Sequence, residues 1–130
     1  ITWSNLDELA DVPIGVVRDY VNTTEFDQRV ADGRLKVQAV TLDKNNLLKL
    51  VHERINLTVI DKHVMNYLFK HDRDLIPLKD QAEFNSNILE EKNIFVCFKK
   101  SESGMAMKKI FNEGLAKINI QEIIDQHLNT

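Results

Sequence analysis

The feature that most constrains this chain is a repeated alternation. Short β-branched runs are each followed by a stretch with apolar residues at helical spacing, and this happens three times before residue 70. The runs are Ile14-Gly15-Val16-Val17, Leu35-Lys36-Val37-Gln38-Ala39-Val40 and Leu57-Thr58-Val59-Ile60. The helical stretches carry Phe26 and Val30, then Leu47, Leu48, Val51 and Ile55, then Val64, Met65, Leu68 and Phe69. Their starts are marked by cap residues: Asn22 with Glu25 three positions on as a capping box, and Thr41 or Asp43 for the second, while Gly33 ends the first. The segment Ser4-Asn5-Leu6-Asp7-Glu8-Leu9 offers a cap residue followed by acids in the first turn of a further short helix, which Pro13 stops. Strands separated by helices of this length form a parallel sheet with right-handed crossovers, so the expectation is an α/β chain with an open, mostly parallel sheet and helices on both faces.

Beyond Pro77 the alternation weakens. Leu75-Ile76 and Leu78 suggest a fourth strand, a polar loop runs from Gln81 to Asn87, and residues 94–98 (Ile-Phe-Val-Cys-Phe) read as a last strand with Cys97 as a small buried hydrophobe. The end is helical twice over. Met107, Ile110, Phe111, Leu115 and Ile118 make one stripe, and Asn119 with Glu122 opens a second helix carrying Ile120, Ile123, Ile124 and Leu128. The polar stretch 99–104 joins these helices to what precedes, which divides the chain into a sheet-bearing part, 1–100, and a helical segment, 101–130, whose apolar stripe needs something to cover.

Composition narrows the function classes. Seventeen Lys and Arg against twenty Asp and Glu give a net charge of −3 with both signs interspersed, so no basic face exists for nucleic acid or anionic lipid, and no nucleic-acid partner is expected. No apolar run approaches the length of a membrane span. A single cysteine excludes an intramolecular disulfide. The chain begins at Ile1 without a leader, which reads as a processed chain or a piece of a longer one. GxGxxG, GxxxxGK[ST], HExxH and GxSxG are all missing, and the four histidines are scattered, so neither a catalytic residue, a metal site nor a cofactor is assigned and the chain is read as a non-enzyme.

In an open α/β sheet, ligands bind beyond the carboxyl ends of the strands, where helix N-termini present N–H groups and loops vary without disturbing the sheet. Three groups fall there. Residues 18–24 place Arg18, Tyr20, Asn22, Thr23 and Thr24 at the start of a helix, a setting for a carboxylate or other anion. Thr41 to Asp43 follows the second strand and reads as a cap. Asp61 follows the third strand, where a carboxylate could accept from an ammonium group or cap the helix after it. A phosphate-receiving enzyme on the same sheet would need paired acids after the first strand, and that position reads Arg18-Asp19.

With these positions in view, the chain resembles the second lobe, plus the C-terminal segment, of bacterial periplasmic solute-binding proteins of the polar amino-acid type (family 3), a type II bilobal fold shared with glutamate-receptor ligand cores. The resemblance rests on Leu9 to Val17 followed by Asn22-Thr23-Thr24-Glu25, on Leu50 to Asp61 with Arg54 before a strand ending in an acid, and on residues 94–101 followed by Asn112 to Ile118. It implies that Asp61 pairs with the ligand's α-ammonium and that Asn22 and Thr23 help hold its carboxylate. It also implies a periplasmic, non-enzymatic protein that binds a small polar ligand such as an amino acid for ABC-type uptake through a membrane permease. The alternative it allows is a sensory input module that signals to an attached or partner protein. The family's turn glycine is replaced by Asp19 or Val21, its Gly-Arg by Glu53-Arg54, and its second acid by Asn56. The first lobe, which in the family supplies an arginine for the carboxylate and a surface for the last two helices, lies outside this sequence. Without that cover, the exposed C-terminal helices would favour a homodimer.

Overall fold

The computed structural model describes residues 1–129. It divides into two compact units, Ile1–Glu90 and Glu91–Thr130. Residues 91–100, grouped above with the sheet, therefore belong with the C-terminal helices.

The first unit is α/β, as the alternation requires. Strands β1 (Ile14–Val17), β2 (Val37–Val40) and β3 (Leu57–Thr58) form one parallel sheet in the order β2-β1-β3. Helices α1 (Thr24–Ala31), α2 (Asp43–Val51) and α3 (Lys62–His71) follow the three strands in turn. All four residues of β1 are buried, which is why it reads as an unbroken apolar run: a central parallel strand is covered on both faces. Ile14 and Val16 turn to one side and pack with Leu6, Leu9, Phe26 and Leu35. Alternation sends Gly15 to the other side, onto α2. There Leu47 joins Met65, Phe69 and Leu75 in a second cluster. Phe26, Ile14, Leu47, Ile55 and Leu75 are the apolar side chains fully removed from water, each stabilising by roughly 1.5–3 kcal/mol.

Several local expectations are corrected. The first turn, Leu6–Leu9, is a 3-10 helix rather than an α-helix and is capped by Asn5, with Ser4 N–H donating to Glu8 Oε2 at 3.0 Å. The second strand is trimmed to Val37–Val40, and β3 is assigned only over Leu57–Thr58. The residues expected as a fourth strand form a 3-10 turn over Ile76–Gln81 instead. Pro77 at its start lacks the N–H that a ladder would need and fixes φ near the helical value. Nor are residues 94–98 a strand: they lie outside any helix or strand and have no ladder partner, and Cys97 is exposed rather than buried. Periodicity reports the tendency of such a run to be extended, and only a neighbouring edge makes it a strand.

In the second unit, Ser101 caps α4 (Glu102–Leu115) by accepting from Gly104 N–H at 3.1 Å. Phe98 rests on Phe111 with ring centroids 5.7 Å apart, and α5 (Ile120–Asn129) follows. Among its described residues only Gly104 is buried. No helix among the described residues is long and apolar enough to cross a membrane.

The closest packing in the sheet is between Gly15 and α2. A Cβ at Gly15 would stand 2.5 Å from Asn46 Oδ1 and 2.6 Å from Ile55 Cδ1, and Asn46 is fully buried with neither side-chain polar atom hydrogen-bonded to the described residues. Gly15→Ala is therefore expected to destabilise the first unit by about 1–3 kcal/mol through overpacking. Adding Asn46→Ala should recover part of that loss, because it removes one of the two obstructions together with an unsatisfied amide, while Ile55 still crowds the new Cβ. Urea denaturation of the two single variants and the double variant measures the coupling, and additive effects would mean the two residues do not meet.

Candidate functional site

All three strands run the same way, so the loops that leave β1, β2 and β3 emerge along one edge of the sheet. The order β2-β1-β3 adds a second condition. The chain goes from β1 to β2 on one side, then crosses back over β1 to reach β3, so the carboxyl ends of β1 and β3 flank a topological switch point. The residues singled out from sequence, Arg18 to Thr24 and Asp61, leave those two strands.

At the exit of β1, Arg18 N–H still donates to Val40 O at 2.8 Å, and Tyr20 N–H donates to Val17 O at 3.3 Å. Between them Asp19 adopts φ +65°, the left-handed conformation for which glycine is usual and which Asp tolerates better than most residues. The chain then turns into α1. Thr23, not Asn22, is its cap: Thr23 Oγ1 accepts from Phe26 N–H at 3.0 Å. Asn22 instead donates from its backbone N–H and from Nδ2 to the Asp27 carboxylate, both at 3.0 Å. The capping box expected from Asn22 and Glu25 is therefore replaced by a brace one turn along, and Glu25 pairs with Arg29 at 2.7 Å. Thr24 opens the helix and is exposed, as are Arg18 and Tyr20.

At the exit of β3, Asp61 caps α3, with Oδ1 accepting from His63 N–H at 2.7 Å and Val64 N–H at 3.0 Å. Both bonds use Oδ1, so the cap does not engage Oδ2. At the exit of β2, Leu42 occupies the cap position of α2 without a side-chain bond, and Asp43 is its first residue. Thr41 and Asp43 are thus not caps. Tyr20 Oη lies 3.4 Å from Asp43 Oδ2, tying the β1 loop to the start of α2. Partial burial pushes the Asp43 carboxyl above its usual range, the Tyr20 hydroxyl pulls the other way, and the negative charge of Asp61 adds to the rise. Asp43 and Asp61, from strands on either side of β1, are thus close enough to repel one another.

The sheet edge therefore holds two carboxylates in mutual range, a phenol and a helix N-terminus with two threonine hydroxyls. Chemically this can take a cation at Asp61 and Asp43, and an anion at the N–H groups and hydroxyls of Thr23 and Thr24. Asn22 helps by bracing the loop, since its amide is committed to Asp27. Asp43 was passed over in the sequence because its spacing after the second strand reads as a cap. Its relation to Asp61 depends on the crossover that carries β3 past β1. Among the described residues no three of His, Cys, Asp or Glu converge as metal ligands would.

No family model, no curated protein and no solved structure matches this chain.

The raised Asp43 carboxyl gives a pH signature. A carboxyl whose folded pKa lies above its unfolded value favours the folded state while protonated, and that contribution is lost as pH rises through the folded pKa. Asp43→Asn, which keeps an acceptor for Tyr20, is expected to stabilise the first unit at neutral pH. The gain should vanish below the unfolded carboxyl range, where wild type is protonated in both states. Melting curves from pH 3 to pH 8 read this directly, and a pH-independent difference would place the effect in packing instead.

Proposed function

We propose that the first unit is a ligand-binding lobe for a small zwitterion of the amino-acid kind. The ammonium is held at Asp61, with Asp43 adding negative potential, and the carboxylate at the N-terminus of α1 through Thr23 and Thr24. The observation that carries this reading is the placement of Asp61 and the α1 terminus at the carboxyl ends of adjacent parallel strands, on the two sides of a switch point. Opposite charges on one ligand then meet opposite partners. Arg18, exposed at the exit of β1, adds positive charge on the carboxylate side. On this reading the protein works outside the cytoplasm, in the periplasm, as the receptor of an uptake system. A second lobe then supplies the remaining contacts and covers the apolar stripe of α4 and α5, as the family resemblance implies.

The dual role of Asp61 decides how the test is built. Asp61→Ala removes the cap of α3 as well as the charge and is expected to lower unliganded stability by about 0.5–2 kcal/mol. Asp61→Asn keeps a good cap and removes only the charge. Thermal shift with millimolar arginine, glutamine and glutamate should show stabilisation of wild type that grows with concentration. The shift should be lost in Asp61→Asn while its unliganded melting point stays near wild type. A shift that survives in Asp61→Asn, or no shift with any of the three in wild type, sinks the reading.

A further inference from the structure

The outer edge of β3 is open. Leu57 N–H donates to Pro13 O at 3.4 Å and Val59 N–H to Gly15 O at 3.0 Å, so these residues face β1. By the alternation of a strand, the backbone groups of Thr58 and Ile60 face the other way. Among the described residues no strand pairs with that side. A groove of about 880 Å³ runs along it within the first unit. Residues 56–60, Phe84 to Leu89 and Trp3 line it, it reaches inward to Ile14 of β1, and no residue of β2 lines it. Its charged side chains, Glu53 and Glu83, are both acidic.

The same chain carries a segment with the matching properties. Residues 94–98 are five consecutive apolar residues of high strand propensity, outside any helix or strand and without a ladder partner, with Ile94 93%, Phe95 80% and Val96 56% exposed. Five residues in a strand span roughly 17 Å, the same count as residues 56–60 that line the groove. Upstream, Glu91 and Lys92 offset each other in charge; downstream, Lys99 and Lys100 are both positive. Glu53 precedes β3, so an antiparallel strand would bring Lys99 and Lys100 to that acidic end.

We infer that residues 94–98 of a second copy of this chain dock antiparallel along the outer edge of β3, and that the exchange is reciprocal. Each copy then gives one strand and receives one, which closes the assembly at two. The added strand meets the outward backbone groups of Thr58 and Ile60, and its apolar side chains enter the groove. Exposed apolar edges are templates for this kind of addition, and nothing along β3 blunts its edge with a proline or a lysine. The inference is independent of the ligand reading, because the groove flanks β3 while the ligand groups sit at the strand ends.

Sedimentation velocity over a micromolar concentration series, with Cys97 alkylation by iodoacetamide in parallel, tests it on the whole chain. A monomer–dimer equilibrium is expected, with Cys97 reacting about tenfold more slowly at concentrations where the dimer prevails, as for a site reached only through opening. Val96→Pro, at an exposed position, should abolish both effects and leave the far-ultraviolet dichroism unchanged. Glu53→Lys should weaken association about fivefold, and adding Lys99→Glu and Lys100→Glu should restore it. Three results overturn the inference. One is a monomer with reactive Cys97 at every concentration. Another is a monomer with Cys97 protected at every concentration, which would mean that the chain fills its own groove. The third is a dimer that survives Val96→Pro, which would assign association to α4 and α5.

Discussion

The burial of β1 on both faces and along both edges is the constraint on which the first unit depends. Four residues, Ile14–Val17, carry β2 on one side and β3 on the other, and they separate the two apolar clusters. Gly15 is what allows this. With no Cβ, it lets Asn46 and Ile55 approach to a distance any other residue would forbid, so α2 sits close against the sheet and β3 can follow α2 back across β1. Asn46 makes this contact with a buried amide that lacks partners among the described residues, which carries a desolvation penalty of roughly 1–3 kcal/mol. The surrounding burial of Leu47, Ile55 and Leu75 is large enough to absorb it.

The geometry of the candidate site follows from that packing. A sheet in the order β2-β1-β3 must have a switch point, and whatever follows β1 and β3 is delivered to its two sides. Local chemistry then acts on what arrives. Thr23 and Asp61 satisfy the first N–H groups of α1 and α3, a need every helix has, and each keeps a further capacity: a hydroxyl proton in one, a second carboxylate oxygen in the other. Capping and ligand binding thus draw on the same groups without excluding each other. Asp43 differs in kind. It caps nothing, is partly withdrawn from water and sits within range of a second carboxylate, an arrangement that a cation relieves.

The second unit obeys a different balance. Its helices form because Ser101 caps one and because Ile, Met, Phe and Leu recur at helical spacing. Yet Met107, Ile110, Phe111 and Leu115 remain in water, with exposures from 38% to 69%. Helices of this length gain little from propensity alone. An apolar stripe left in solvent is a surface whose stability depends on something that covers it.

Sequence by itself determined the element types of the three strand–helix repeats, because hydrophobic periodicity reports directly on which face of a helix or strand is covered. It also determined that Asp61 and residues 18–24 stand at strand exits, since position after a strand is a property of chain order. It misread what depends on a neighbour. Whether Thr23 or Asn22 caps α1 turned on Asp27 drawing the Asn22 amide away. Whether residues 75–78 extend or coil turned on Pro77 opening a 3-10 turn, and whether residues 94–98 form a strand turned on an adjoining edge. The order β2-β1-β3, the approach of α2 to Gly15, the range between Asp43 and Asp61 and the groove along β3 were decided by tertiary structure alone. Each is a relation between residues far apart in the chain, and local pattern carries no information about which distant segments meet.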